Sequence, residues 1–362
     1  MGIKGLVGFL QEHAPEAIKD ISPGDLKHKI IGVDAPIMLN KGAAMAQSEG
    51  KFFYLEMLAK HFTFLQSLGC RVYYVFDGKA PVEKAPEQAK RRAIKEKNTA
   101  SLQSAAARLE EDPDDLAAFQ DLLKLQKYDF CVDAKMRDRA RRLLVALGAE
   151  VIEAPSEAER ALAHMQRAGT IDHVFTEDVD VLVCGASSYV KYFGSLQSET
   201  EGFEVKHPPK LVCLAESLAG LGLTYEEFVT FSMLSGCDFV PKLPRIGPVS
   251  AYKTVKKAGA SLDACFQACA GDKDLLEQYK RARPLLTFDA LDRGPICSRS
   301  GRQEQPLGGR EAIKALLGEL EQEGPVDRLR QRLAALQEEE CPAEKRRRCA
   351  SVSGEQQVAP LQ

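Results

Sequence analysis

The sequence predicts an α/β fold with a mostly parallel central sheet flanked by helices, and three observations indicate it. The first is a series of short apolar runs with the character of buried strands, at residues 29–33, 71–76, 149–152, 171–175 and 187–193. The second is that helical patterns, such as 52–68 and 137–147, alternate with these runs. The third is that Asp34, Asp77 and Asp178 follow three of the runs, and parallel sheets bind ligands at the carboxyl ends of their strands.

The first elements have clear signals in the order of the chain. Run 29–33 reads KIIGV and leads directly into Asp34. Residues 52–68 carry apolar side chains at helical spacing, and Gly69 ends that helix. Run 71–76 is β-branched and aromatic, which favours a strand. The chain then turns at Asp77-Gly78, a common turn dipeptide.

Residues 79–147 carry helix signal and little strand signal. Segments 83–110 and 115–127 are predicted helices, separated by an acidic break, EEDPDD. The first segment has few large apolar residues, so we expect it to stand off the body of the protein. Residues 137–147 return to an amphipathic helix that closes at Gly148.

The remaining chain changes character twice. Residues 210–221 and 225–234 are predicted helices, and 235–257 indicates a helix end, a Gly/Pro turn and a new helix. Residues beyond 298 are charged and Gln-rich, with predicted helices at 310–320 and 326–339. The last twenty residues have a disordered composition. We therefore expect three parts: a core over 1–235 with an insertion at about 83–130, a helical region over 236–297 and a tail over 298–362.

Composition favours a protein of the cell interior. No apolar run approaches the roughly 20 residues that span a membrane. The N-terminus lacks the build of a signal peptide, and the ten cysteines form no C-x-x-C pair, so we expect reduced thiols. The net charge is −3, yet residues 79–97 hold seven Lys/Arg against three Glu, and 135–142 hold five against one Asp. Such patches are typical of phosphate binding, although a solvated helix face also explains each one.

Two pairs of acids at the same spacing, Glu157/Glu159 and Asp178/Asp180, stand beside predicted strands. Each acid has an ordinary explanation: Ser156 and Glu159 match a capping box, and an Asp after a strand often caps a turn. Capping needs one acid at each end, however, and does not require acids to converge from three strands. Four carboxylates at one point repel unless a divalent cation neutralises them.

The donor set indicates the metal. Asp238, in a Gly-Cys-Asp turn, adds a further acid to those at the strand ends. Carboxylates without histidine point to Mg²⁺ or Mn²⁺ rather than zinc. Two Mg²⁺ ions in one site would promote hydrolysis of a phosphodiester.

At this point six ordered motifs resemble the XPG/flap endonuclease family of structure-selective 5′ nucleases, over roughly residues 1–257. They are MGIKGL, VDAP at Asp34, VFDGKAP at Asp77, EAPSEAE at Glu157/Glu159, TEDVD at Asp178/Asp180 and LSGCDF at Asp238. LNKGAA and LSGCDF are similar to the exonuclease 1 branch, and EAPSEAE is closer to the flap endonuclease branch.

The resemblance implies a PIN-like 5′ nuclease core in which seven carboxylates bind two divalent ions. The matching positions are Asp34, Asp77, Glu157, Glu159, Asp178, Asp180 and Asp238. It further implies that Lys84 and Arg91 approach the scissile phosphate and that Gly2 packs near the site. Lys90 and Arg92 beside them are expected to contact nucleic acid. Residues 83–130 correspond to a helical arch for the 5′ strand, and 236–257 to a helix–hairpin–helix that holds duplex DNA, often with a K⁺ ion.

Three departures from the family pattern stand out. Relatives carry a stacking Tyr or His at the position of Asn40. The family's Gly-x-Gly hairpin keeps only Gly247 here, which counts against both the hairpin and its K⁺ ion, and Arg245 offers a phosphate contact instead. No aromatic residue follows Phe288, so a sliding-clamp-binding motif is not recognisable.

The leading hypothesis is a Mg²⁺-dependent nuclease for 5′-flap, gapped or nicked duplex DNA in replication or repair, acting as a monomer. Two alternatives stay open: a catalytically idle scaffold that binds DNA junctions, and an RNA-directed 5′ exonuclease with the same site. Four consecutive basic residues at 345–348 match a nuclear localisation signal and equally a solvated tail.

Overall fold

The computed structural model describes residues 3, 5–126, 131–195, 207–269, 272–287, 298–299 and 309–338. Within these residues no helix is long and apolar enough to cross a membrane. The basic run at 345–348 lies outside the described residues.

A central sheet confirms the predicted fold class. Its strands in the described residues are β1 (Ile18–Asp20), β2 (Ile30–Asp34), β3 (Arg71–Phe76), β4 (Glu150–Glu153), β5 (His173–Phe175), β6 (Ser188–Lys191), β7 (Lys210–Cys213) and β8 (Ser298–Arg299). Their order across the sheet is β1-β7-β6-β5-β2-β3-β4-β8. The five central strands from β6 to β4 run parallel, and β1, β7 and β8 are antiparallel additions at the edges. The sheet is therefore mostly parallel, as expected.

Helices lie between and after the strands. Those before residue 170 are α1 (Leu6–His13), α2 (Ala35–Glu49), α3 (Phe53–Ser67), α4 (Ala85–Glu111), α5 (Leu116–Gln126), α6 (Ala134–Ala146) and α7 (Ala158–Arg167). Those after it are α8 (Asp180–Val183), α9 (Leu214–Leu221), α10 (Tyr225–Ser235), α11 (Pro248–Ala258), α12 (Leu262–Ala268), α13 (Lys273–Leu286), α14 (Gly309–Glu321) and α15 (Asp327–Glu338). Short 3₁₀ turns occur at Pro15–Ala17, Pro23–Leu26, Val82–Lys84 and Phe193–Ser195.

One predicted helix is partly wrong. The pattern at 210–221 begins with β7, and α9 starts only at Leu214. Residues 210–213 read KLVC, and four residues are too few for the helical and strand periods to be told apart. Pairing with β6 and β1 decides the outcome, because both neighbours satisfy the backbone of β7.

Strand side chains alternate between two cores, one on each face of the sheet. Tyr73 and Val75 of β3 pack with α1, α7 and the helices from α10 to α13. Val72, Tyr74 and Phe76 point the other way and pack with α2, α3 and α6. This is the period-two pattern of a strand buried on both faces.

The last two described helices pack on the second core rather than standing apart. Ile313 and Leu316 of α14 and Leu329 of α15 are buried among residues of α3 and α6. Arg139 of α6 pairs with Glu323, which follows α14, at 2.6 Å. The sequence predicted these helices but not where they pack.

Helices α4 and α5 form the predicted insertion between β3 and α6. They contact each other extensively, and within the 27-residue α4 only Ala105 is buried. On α5, Leu116 and Phe119 are exposed. The prediction that this segment stands off the body fits its sparse burial.

Candidate active site

The carboxyl ends of β2, β3 and β5 lie side by side at one edge of the sheet. Asp34 is the last residue of β2 and pairs with Val75 near the end of β3, and β2 also pairs with β5. Asp77 follows β3 and Asp178 follows β5 at this same edge. Because neighbouring strands lie about 4.8 Å apart, acids at three adjacent strand ends stand close together.

Asp34 is held in a buried and negatively charged environment. As the N-cap of α2 it accepts a hydrogen bond from the Ile37 amide at 3.4 Å. The Thr176 hydroxyl donates to Asp34 Oδ2 at 2.8 Å. Burial raises the pKa of Asp34 to about 8, helped by the charges of Asp77 and Asp178 and opposed by the Thr176 bond. Without a cation, this carboxyl holds a proton at neutral pH.

Gly78 lets the end of β3 come close to the segment before α7. A Cβ on Gly78 would collide with the carbonyl oxygen of Ala154, so a larger residue cannot pass there. The approach brings Asp77 to the start of α7, where its Oδ1 accepts a hydrogen bond from the Ala158 amide at 2.9 Å. Asp77 therefore caps a helix that belongs to another part of the chain.

The capping box predicted for Ser156 and Glu159 is wrong. Helix α7 has Glu157 as its N-cap, without a side-chain cap bond. The Ser156 hydroxyl is buried and has no hydrogen-bond partner among the described residues. Asp77 has taken over the cap, since it accepts the Ala158 amide. Glu157 is thus the N-cap residue by position only, and its side chain makes no cap bond.

Asp178 and Asp180 are fixed by backbone amides after β5. The Asp178 amide donates to Thr176 Oγ1 at 3.1 Å, and Asp178 Oδ1 accepts from the Asp180 amide at 3.0 Å. Asp180 Oδ1 accepts from the Ile3 amide, also at 3.0 Å. Asp178 therefore caps the turn after β5, as the sequence suggested, and this bond also orients its carboxylate. Sequence reasoning missed Thr176, whose only signal was its place just before the acids.

The acids raise one another's pKa. Burial raises the pKa of Glu159 well above its usual range, reinforced by Asp34 and Asp178. Burial also raises the pKa of Asp178, and it raises that of Asp180 with help from the charges of Asp178 and Asp238. Because the acids raise one another's pKa, these carboxylates form one cluster with excess negative charge.

Two cations reach these carboxylates from the turn Val82–Lys84 and from α4. The Lys84 ammonium pairs with Glu157 and lies 5.3 Å from the ring centroid of Phe239. Burial lowers the pKa of Lys84, but the charges of Glu159 and Glu157 outweigh it and the net shift is upward. The Arg91 guanidinium pairs with Asp238. The predicted phosphate-contacting residues therefore lie against the predicted metal ligands.

The chemistry of the donor set fits hard divalent cations. All seven predicted ligands offer carboxylate oxygens. The raised pKa values of Asp34, Glu159, Asp178 and Asp180 reflect burial and negative charge that a cation would neutralise. In the described residues no group of three or more His, Cys, Asp or Glu side chains is arranged closely enough to hold a metal ion. Two of the seven carboxylates, those of Glu157 and Asp238, pair with Lys84 and Arg91.

The residues predicted to contact nucleic acid lie in several parts of the chain. Gly2 is outside the described residues. Asn40 is partly buried on α2, six residues after its N-cap Asp34. Lys90 and Arg92 are exposed on α4, and Lys90 pairs with Glu87 at 3.6 Å.

The hairpin between α10 and α11 forms despite the missing glycine. Arg245 itself adopts the left-handed conformation with φ 61°, which is uncommon for a residue other than glycine. Its side chain is exposed. Gly247 is the N-cap of α11, and its amide donates to Ser250 Oγ at 3.2 Å. The loss of the first glycine therefore does not prevent the turn.

Comparisons with known proteins find similar sequences. The model of the XPG N-terminal domain matches residues 1–98, and that of the XPG I-region matches residues 148–238. Flap endonuclease 1 of Babesia bovis is 32% identical over 311 residues, which cover 81% of this chain but 43% of that protein. Flap endonuclease 1 of Meyerozyma guilliermondii is 30% identical over 274 residues, 73% of this chain and 69% of that protein.

Solved structures resemble the fold. Flap endonuclease-1 from Methanococcus jannaschii has a TM-score of 0.57 at 20% identity, covering 88% of this chain and 95% of that one. The catalytic core of Rad2 in complex with DNA substrate has a TM-score of 0.56 at 19% identity, covering 90% and 98%.

Proposed function

The chain belongs to the XPG/flap endonuclease family, and from this premise we propose that it is a Mg²⁺-dependent, structure-selective 5′ nuclease acting on branched or nicked duplex DNA. The observation that carries the proposal is the gathering of acids from three strand ends, with Lys84 and Arg91 directly against them. Neither an ordinary cap nor a surface ion pair requires that convergence.

We assign the metal sites to the seven acids Asp34, Asp77, Glu157, Glu159, Asp178, Asp180 and Asp238. Bound Mg²⁺, or Mn²⁺ in its place, would supply Lewis-acid chemistry for phosphodiester hydrolysis. Two ions are proposed because one ion would leave several carboxylates uncompensated.

Under this proposal, Lys84 and Arg91 pair first with carboxylates and then with phosphate oxygens. Without DNA they pair with Glu157 and Asp238 and offset part of the negative charge. With DNA present, they exchange these carboxylates for the oxygens of the scissile phosphate and stabilise the charge that develops there. Arg91 is half-exposed, so its exchange requires only side-chain rotation.

The hairpin is the proposed duplex contact. Exposed Arg245 and the adjacent helix N-terminus at Gly247 present positive charge to a phosphate backbone. We propose that Arg245 binds phosphate there. We also propose that the protein acts as a monomer, that residues 345–348 direct it to the nucleus, and that its three parts divide at residues 235 and 297.

A panel of matched labelled substrates tests the proposed function. In Mg²⁺ we expect the 5′-flap and nicked duplexes to be cut, blunt duplex to be cut more slowly, and the matching RNA flap to stay intact. Addition of EDTA should stop all cutting. Substrate geometry should decide the rate if, as we propose, the segment 83–130 and the hairpin each contact a different arm of a branched duplex.

The other outcomes assign a different function. Tight junction binding with no product at any Mg²⁺ or Mn²⁺ concentration would make the chain a scaffold. Preferential cutting of the RNA flap would make it an RNA-directed 5′ exonuclease. Equal rates on every geometry would remove structure selectivity.

Metal affinity should rise with pH. Because the pKa of Asp34 is raised to about 8, the metal-free site carries a proton below that pH, and a metal ion must displace it. We expect the half-saturating Mg²⁺ concentration to fall by up to about tenfold between pH 7 and pH 8 for each proton released. Calorimetric titration in two buffers of different ionisation enthalpy measures the release directly. In Asp34→Asn the release should drop by about one proton, and a pH-independent affinity in the wild type would contradict the linkage.

A further inference from the structure

A tyrosine that has no role in the catalytic arrangement lies at the same sheet edge. Tyr192 follows β6, the strand next to β5, and its amide donates to Glu177 Oε1 at 3.1 Å. Glu177 directly precedes Asp178 in the chain. Neighbouring strands lie about 4.8 Å apart, so Tyr192 at the end of β6 is next to the acid-bearing end of β5.

The backbone at Tyr192 is held in an unfavourable conformation. Its φ of 58° is left-handed, which is rare for a bulky residue and persists only where surrounding contacts impose it. On one side the bond to Glu177 fixes the amide. On the other side the Phe193 ring is buried 5.3 Å from Phe175 and 5.5 Å from His61. These two anchors leave the Tyr192 ring partly exposed beside the site.

The surroundings of the ring suit a nucleotide. The imidazole of exposed His207 stacks on Tyr192 with centroids 5.0 Å apart and an interplanar angle of 23°. The Lys191 ammonium lies 5.0 Å from the same ring centroid. Aromatic rings that accept bases, flanked by cations that accept phosphates, are the usual elements of single-strand binding.

A second cation lies on the side facing α2. A Cβ on Gly194 would lie 2.8 Å from Lys41 Nζ, so the Lys41 ammonium packs against the turn that follows Tyr192. Its neighbour Asn40 provides no ring to this part of the site. The aromatic surface here therefore comes from Tyr192, just after β6, and from His207, just before β7, and not from α2.

We propose that the Tyr192–His207 ring pair stacks on the nucleobase next to the scissile phosphate, while Lys191 and Lys41 contact the adjoining phosphates. Lys191 would move from the ring face to a phosphate when the base arrives. This assignment rests on the proposed nuclease function and adds the group that positions the strand. The simpler alternative is that the two rings only pack against each other at the surface.

A cycle of protein and substrate changes separates these possibilities. The substrates are a 5′ flap and the same flap with an abasic site at the nucleotide adjoining the cut. Stacking worth about 1–3 kcal/mol per base corresponds to roughly 5- to 150-fold. We expect Tyr192→Ala to lower single-turnover kcat/KM on the intact flap by that factor, and to have little effect on the abasic flap. Tyr192→Phe should match the wild type because it keeps the ring.

Two controls keep the test decisive. An abasic site deep in the duplex should leave both proteins unchanged. If Tyr192→Ala does not fold, 2-aminopurine at the adjoining nucleotide gives the answer in the wild type, since stacking should quench its fluorescence in Ca²⁺, and His207→Ala should relieve part of the quench.

Equal losses on intact and abasic flaps, or no quench in the wild type, would overturn the stacking assignment while cleavage itself continues. A wild type that cuts neither flap in Mg²⁺ would instead contradict the proposed function. The two failures are therefore distinguishable.

Discussion

Exchanging Asp178 for asparagine is expected to lower the single-turnover rate of flap cleavage by about 10³-fold or more, because metal-assisted charge stabilisation contributes several kcal/mol. Asparagine has the size of aspartate and retains Oδ1, so the 3.0 Å bond from the Asp180 amide can persist. The change therefore removes one negative charge and leaves the turn intact. Asp178→Ala, which removes the turn as well, should be equally inactive.

Binding should respond differently from cleavage. The lost charge is negative, so the attraction of Lys84, Arg91 and the hairpin for phosphates is not weakened. The dissociation constant for the flap, measured by anisotropy, should stay close to that of the wild type.

Asp172→Asn is a matched control at the opposite end of β5. Asp172 accepts a hydrogen bond from the Ile30 amide at 2.7 Å and lies away from the other acids. This variant should cut flaps normally. An Asp178→Asn protein that still cuts at the wild-type rate would show that Asp178 does not hold the metal.

The position of the acids at the strand ends could be predicted from two rules. Buried strands appear as apolar runs, and neighbouring parallel strands end at the same edge of the sheet. Runs such as 29–33 and 71–76 are buried on both faces, so they read as continuous apolar segments. Once they are recognised as neighbouring parallel strands, Asp34 and Asp77 must share an edge. No contact between side chains was needed for that inference.

The details that failed depend on contacts between distant parts of the chain. Ser156 matched a capping box, but Asp77, about eighty residues earlier, caps α7 instead. The packing of α14 depends on side chains of α6, and that of α15 on side chains of α3, and both partners lie far away in sequence. Local patterns carry no information about such partners.

Arg245 illustrates a third limit. Sequence reasoning counted its replacement of glycine against the hairpin, because a positive φ costs a side-chain-bearing residue of order 1–3 kcal/mol. The structure adopts that conformation at Arg245 regardless. Packing of the flanking helices α10 and α11 against each other outweighs the local preference.

Replacing Lys84 with methionine is the second change with a large expected effect. Methionine preserves the length and apolar contact of the side chain, including its position near Phe239, and removes only the charge. If Lys84 stabilises the phosphate as the bond breaks, single-turnover cleavage should fall by about 10²- to 10³-fold, the effect of removing one such donor. Lys84→Arg should recover part of the loss. Lys314→Met, which removes an exposed lysine paired with Glu311 at 2.9 Å, should have no effect on cleavage.

The same variant gives a stability signature that separates a role at the site from a general loss of structure. In the metal-free protein, Lys84→Met leaves the buried Glu157 carboxylate without its cation, so the melting temperature should fall. Saturating Mg²⁺ should restore most of that temperature, because a metal ion bound to the folded state replaces the missing charge. Cleavage should stay low even when stability is restored, since the phosphate still lacks its lysine. Recovery of both properties together would show that Lys84 only holds the carboxylates in place.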